Sequence, residues 1–207
     1  MAIIHQATLE PSKLELLASH LPTRAELEHG VGTGLTQLGA YRFDDPAGEV
    51  GIETHVLGTA DGRVLHIPLT YRSAEVPDAA TFLVGTLQHS VLGERWVYDA
   101  CQDPVYVAEL LRVIIEGGSH VPLMVETRTG PVEREATTMV LGSGLHDVDA
   151  PRDGVATVTR EGTDSIVVTG ALELVVHHEV GRGDTDGRAH LRGSWPKSGE
   201  RVLATLR

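Results

Sequence analysis

The stretch EVGIETHVLGTADGRVLHIPLTY, Glu49–Tyr71, is two alternating runs around a tight turn. Val50, Ile52, Thr54 and Val56 fall on one side of the first run. Leu65, Ile67, Leu69 and Tyr71 fall on one side of the second. Between them lies Thr59-Ala60-Asp61-Gly62, and Asp-Gly is a favoured pair where a turn needs positive φ. The pattern predicts a β-hairpin. Pro68 has no N–H to donate, so its strand is expected to be an edge there or to carry a bulge.

Working outward, two further strands are expected over Thr81–His89 and Glu94–Asp99, joined by the short Ser90–Gly93 connection as a second hairpin. Glycines within strands at Gly51 and Gly85 suggest bends or bulges. A helix follows over Asp103–Glu116. Asp103 is a natural N-cap, Pro104 suits the first helical position, and Gly117-Gly118 end it. Val107, Leu110, Leu111 and Ile114 repeat at helical spacing and predict its buried face. Before the first hairpin, residues 2–8 read as a strand and Pro11–His20 as a short helix stopped by Pro22. Residues 23–35 read as a loop. Gly30, Gly32 and Gly34 give a G-x-G-x-G spacing that matches no phosphate-binding fingerprint.

Beyond the long helix, strands are expected over Val121–Arg128, Ala136–Leu141, Val155–Arg160, Ser165–Val168, Ala171–Val180, Ala189–Ser194 and Arg201–Leu206. Residues 143–154 read as an acidic loop and Gly181–Gly187 as a polar turn. Many antiparallel strands with a few helices predict a single α+β domain over 1–207, built on a strongly curved antiparallel sheet.

Composition narrows the chemistry. The chain has 207 residues, one cysteine and a net charge of -12. A single cysteine excludes an internal disulfide framework and a four-cysteine zinc site. The negative charge disfavours nucleic acid and anionic membranes as partners. No run of about 18 apolar residues exists, and Met1–Ala7 have no secretory pattern, so a cytoplasmic location is expected. Residues 180–207 carry six Arg/Lys against three Asp/Glu, which reads as a solvated edge hairpin guarded against strand pairing.

Candidate site residues are few. His177-His178-Glu179 is the densest histidine cluster, but neighbours in a strand point to opposite faces. It reads as a half-exposed strand rather than a metal site. Ser90, His89 and Asp99 lack a nucleophile elbow, and Cys101 reads as a structural thiol. No catalytic or metal-ligating set is assigned. The most informative group is on one strand, where Trp96 and Tyr98 share one face while Arg95, Val97 and Asp99 share the other. His89, Arg95, Trp96, Tyr98 and Asp99 are therefore the candidate ligand- or partner-binding residues. The aromatic pair is either a core anchor or a platform for a sugar or protein.

HIPLTYR (66–72), FLVGTLQHSVLGERWVYDACQDPVYVAELL (82–111) and LRGSWPKSGERVLATLR (191–207) resemble the maltokinase N-terminal cap family, in particular its free-standing actinobacterial members. The likeness runs over nearly the whole chain and is weakest in the early loop and over 143–187. It implies a bent antiparallel sheet around helices with cystatin-like topology. In full-length enzymes of the family the cap precedes a kinase body that uses ATP and magnesium. Neither H-x-D-x-x-x-x-N nor a D-F-G-like element occurs here, so no ATP-site residue is carried over and no cofactor is implied. The resemblance points to an accessory or regulatory module acting on a separate kinase or other enzyme of maltose, trehalose or α-glucan metabolism. A small-ligand or glycan binder using the Trp96/Tyr98 face is the alternative, and a carbohydrate-active enzyme is a third.

Overall fold

The computed structural model describes residues 3–4, 7–24, 27, 34–127, 130–134, 136–146, 148 and 157–207. The segment expected as one first strand divides into β1 (Ile3–Ile4) and β2 (Leu9–Glu10), which join different sheets. Helix α1 (Lys13–His20) starts later than Pro11. Ser12 is its cap, accepting from the Glu15 N–H, and the Glu15 carboxylate answers at the Ser12 N–H (2.9 Å) in a capping box. Pro22 does not stop the chain's helical path at once, because a 3-10 turn over Leu21–Thr23 follows. Gly30 and Gly32 lie outside the described residues.

Strand β3 (Thr36–Asp44) was not anticipated. Its signal is the alternation Tyr41-Arg42-Phe43-Asp44, obscured by Gly39 and a polar start. Strands β4 (Gly51–Gly58) and β5 (Val64–Arg72) form the expected hairpin, with Gly62 at φ 86 in the turn and the Gly62 N–H donating to the Thr59 carbonyl at 3.1 Å. Gly51 opens β4 in regular register, without the bulge expected there, whereas Gly85 does sit at a register shift. Strands β6 (Leu83–His89) and β7 (Gly93–Asp99) form the second hairpin. The β5–β7 ladder ends at Leu69↔Asp99, so β5 has a free edge at Pro68, as its missing donor requires.

Helix α2 (Pro104–Glu116) has the expected frame. Asp103 accepts from the Val105 N–H (3.0 Å), Gly117 adopts φ 69, and Val107, Leu110, Leu111 and Ile114 are buried. Strands β8 (Leu123–Thr127) and the unanticipated β9 (Gly130–Arg134) then form a hairpin, and β1 lies parallel to β8. Strands β10 (Met139–Gly142), β11 (Thr157–Glu161), β12 (Asp164–Thr169), β13 (Leu172–His177), β14 (Ala189–Ser194) and β15 (Arg201–Leu206) complete the chain. The structure is thus mostly antiparallel sheet with two short helices, an α+β arrangement.

Two six-stranded antiparallel sheets dominate, ordered β2-β6-β7-β5-β4-β3 and β10-β14-β15-β13-β12-β11. The C-terminal hairpin β14–β15 is in the interior of its sheet, not at the expected edge. Its arginines meet acidic neighbours instead, Arg192 with Glu200 (2.9 Å) and Arg207 with Glu173 (3.1 Å).

The first sheet is buried on both faces. Ile52 and Val56, with Tyr41 and Phe43 from β3, join a cluster that contains α2 and the inner faces of the second sheet. Leu57, Leu65, Ile67 and Leu69 join a second cluster under Leu16 and Leu17 of α1. Strands buried on both sides read as near-continuous apolar runs, which is why polar residues within them matter. The two large sheets meet at the free edge of β5. His66 N–H donates to the His178 carbonyl (3.0 Å), and Val180 N–H donates to the Val64 carbonyl (2.8 Å). Close packing on α2 demands glycine at Gly142, where a Cβ would stand 1.9 Å from the Val113 carbonyl oxygen.

Candidate functional site

The register separates the candidate residues by face. Tyr98 pairs with Thr70, and Trp96 with Arg72, on the face turned toward α2. Tyr98 is 3 % exposed and its hydroxyl accepts from the Val76 N–H (2.9 Å), so the ring pins the segment after β5. Trp96 is half-buried. The two rings therefore form no open stacking surface. Asp99 is buried, accepts from the Cys101 N–H (3.1 Å), and is paired with Arg160 and with Arg24 at 3.9 Å.

His89 and Arg95 lie elsewhere. Both line a cavity of about 580 Å³ at the end of the first sheet's α1 side. The cavity exists because α1 is only eight residues long and covers part of that face. Beyond Leu16 the face continues as Glu53, Gly51, Tyr71, Leu87 and Arg95, with Arg42 and Asp44 on β3. Lys13, at the first turn of α1, reaches back over this floor. It forms an ion pair with Glu53, and its Nζ is 5.3 Å from the centre of the Tyr71 ring.

The electrostatics of the floor follow from this crowding. Burial acts to raise the Glu53 carboxyl, but Lys13 and the Arg42 guanidinium outweigh it and hold it down at about 2. Burial, reinforced by Lys13 and Arg42, takes His55 down to about 4 despite the nearby Glu53. The neutral His55 imidazole sits between Gln37 (3.2 Å) and the Tyr71 hydroxyl (3.2 Å). At the rim, His89 Nδ1 accepts from the Val91 and Leu92 N–H groups at 3.2 and 3.1 Å, which leaves Nε2 as the protonated nitrogen.

A second polar cluster is sealed between the sheets. His66 Nδ1 faces the His177 carbonyl (3.1 Å), an acceptor only, so Nδ1 is protonated and Nε2 accepts from the Tyr41 hydroxyl (2.8 Å). His178 repeats the scheme, donating from Nδ1 to the His66 carbonyl (3.1 Å) and accepting at Nε2 from Ser165 (2.7 Å). His177, on the opposite face, bridges Asp164 (3.0 Å) and Thr205 (2.9 Å). The half-exposed strand expected at His177-His178 is thus corrected. Both are fully buried, because every ring nitrogen has a partner. Burial lowers His66 to about 4 and, with Arg24 and Arg160, takes His178 well below its ordinary value.

Cys101 is buried 3.9 Å from His178 Nε2, and burial followed by Asp99 pushes its thiol far up, away from nucleophilic use. The Ser90, His89 and Asp99 trio is not assembled, since Ser90 Oγ accepts from the Thr8 N–H (3.0 Å) and Asp99 is tied to arginines. Among the described residues, no group of three or more His, Cys, Asp or Glu is arranged to hold a metal ion, and no helix is long and apolar enough to cross a membrane.

Of the residues singled out by sequence, the structure brings only His89 and Arg95 to one cavity. It adds Lys13, Arg42, Gly51, Glu53 and Tyr71. Glu53 carried a signal, a carboxylate inside the otherwise apolar run of β4. Arg42 was hidden with its unrecognised strand.

No curated protein matches the chain. Residues 26–103 match the family model of the maltokinase N-terminal cap domain. The matched stretch runs from before β3 to the Asp103 cap of α2. It holds β3 to β7 and therefore most of the cavity floor, while α1, α2 and the second sheet lie outside it. The match bears out the family resemblance carried by the two hairpins, over a shorter span than the sequence likeness suggested: residues 26–103 are similar to the maltokinase N-terminal cap domain.

Proposed function

We propose that this chain is a non-catalytic cap-like module that binds or regulates a separate enzyme of maltose, trehalose or α-glucan metabolism, a kinase being the first candidate. The observation that carries the reading is the match of residues 26–103 to a domain described as the N-terminal cap of maltokinases. The buried thiol of Cys101 and the dispersed Ser90, His89 and Asp99 support a binding role over a nucleophilic one. We further read the chain as one cytoplasmic domain over 1–207, of actinobacterial type and cystatin-like in its helix-under-curved-sheet plan. Support for a single unit is the apolar cluster that runs from β3 and β4 through α2 into the second sheet. The alternative of a glycan platform on Trp96 and Tyr98 is disfavoured by the burial of Tyr98.

The test is capture of the tagged full chain from its native host, followed by reconstitution of each enriched enzyme with purified chain on a sizing column. Recovery of a carbohydrate kinase or related enzyme that forms a stoichiometric complex supports the reading. Enrichment of no carbohydrate enzyme overturns it.

A further inference from the structure

The hydrogen-bonding balance of the cavity is uneven. Three of its four carboxylates are engaged. Asp45 accepts from the N–H groups of Ala47 (2.9 Å), Glu49 (2.9 Å) and Val50 (2.8 Å), Glu53 takes Lys13, and Asp44 is partnered within the fold. Glu49 is at the exposed mouth. Its cations retain open donors. The Arg42 side chain makes no hydrogen bond or ion pair among the described residues, and its Nε is buried without a partner. Among the described residues the Arg95 guanidinium donates from Nη1 to the adjacent Glu94 carbonyl (3.0 Å) and to nothing else, and Lys13 has three N–H groups for one carboxylate. A buried donor without an acceptor is unfavourable, and an incoming acceptor removes that penalty.

Shape agrees with the open donors. At Gly51 the floor has no side chain, and a Cβ there would lie 3.4 Å from Tyr71 Cβ and 3.8 Å from Arg42 Nη2. The glycine leaves a hollow beside the guanidinium. Leu87, Leu92 and the Tyr71 ring supply apolar wall around it. A volume of about 580 Å³ is that of a metabolite site, not of a macromolecular groove.

We propose that this cavity binds a small organic anion, its carboxylate or phosphate group held by Arg42 and Arg95 beside Lys13, with its body over Gly51 and Tyr71. Guanidinium pairs bind planar or tetrahedral oxyanions by charge-assisted, directional hydrogen bonds. The site is separate from the partner-binding reading above and stands or falls without it.

Calorimetric titration of the full chain with citrate, inorganic phosphate and glucose 6-phosphate, with glucose as the uncharged control, tests the proposal. At least one anion is expected to bind with a dissociation constant below about 1 mM, while glucose does not. The carboxylate and phosphate arms identify the head group. Arg42→Gln, which removes the open donors, and Gly51→Leu, which fills the hollow, are each expected to weaken binding by about tenfold or more. Their circular dichroism and thermal midpoints report whether the fold is retained, and Arg95→Gln provides a third variant should either fail. Silence for all three anions overturns the site. So does equal binding of glucose, or anion affinity unchanged in the folded variants.

Discussion

Two polar regions are built into one sheet and behave oppositely. The seam between the sheets holds His66 and His178, each with both ring nitrogens matched to a carbonyl and a hydroxyl. The cavity on the other face holds the Arg42 guanidinium, whose Nε has no hydrogen-bond partner among the described residues. Both regions interrupt apolar strands with polar side chains. Saturated partners mark the seam as structure, where polar groups join two sheets in register. Open donors around a hollow mark the cavity as a place where something else completes the bonding.

The comparison breaks first at the seam. Replacing His178 by Ala removes a buried ring and orphans the Ser165 hydroxyl and the His66 carbonyl. It should destabilise the fold by about 2–4 kcal/mol, read from denaturant midpoints. A loss below about 1 kcal/mol would show that the seam is solvated and not sealed.

Acid should separate the two regions. Unfolded histidine takes up a proton near 6.5, whereas folded His66 does so only near 4. Between these values the unfolded state binds more protons, so stability falls as pH falls through that window, by on the order of 3 kcal/mol for complete titration of His66. Glu53, held at about 2 against 4.5 unfolded, contributes stability that is present above 4.5 and lost toward 2. Stability measured against pH should therefore begin to drop below about 6.5 and keep dropping below 4.5. His66→Leu should remove the His66 share of the upper part, which His55 and His178 also feed, and leave the lower. A profile flat from 7 to 4.5, or one unchanged by His66→Leu, contradicts the sealed seam.

Smaller effects belong to the cavity. Glu53→Gln leaves Lys13 without its carboxylate at a site still open to water. It should cost about 1–2 kcal/mol and flatten the profile below pH 4.5. Arg42→Gln removes no hydrogen bond but does remove one of the charges that hold Glu53 down, so it should cost no more than about 1 kcal/mol while weakening anion binding by about tenfold or more. A large stability loss in Arg42→Gln would move that residue into the structural class with the histidines.

How much of this was legible in sequence depends on where the physics is local. The Asp61-Gly62 turn, the Asp103 cap and the Leu110/Leu111 spacing are nearest-neighbour signals, and both hairpins and α2 appear where they point. Strand parity also sorted Trp96 and Tyr98 from Arg95 and Asp99. What parity cannot say is which face is covered. That depends on how far α1 reaches and on how α2 and the second sheet pack back onto the strands, contacts that local spacing does not encode. So Tyr98 is a pin inside the fold, Arg95 opens to a cavity, and His177-His178 is buried. The cavity's third wall was missed with β3, whose Gly39 is required where a Cβ would stand 2.1 Å from Thr138 Oγ1. A long-range contact thus disguised a strand as loop.

The most direct test is a backbone amide NMR titration of the full chain with citrate and with phosphate. The account predicts shifts concentrated at residues 42–53, 71–73 and 87–95, and strongly reduced at equal ligand concentration in Gly51→Leu. Shifts centred on Trp96 and Tyr98 or on the β13–β15 strands, or none at all, contradict it.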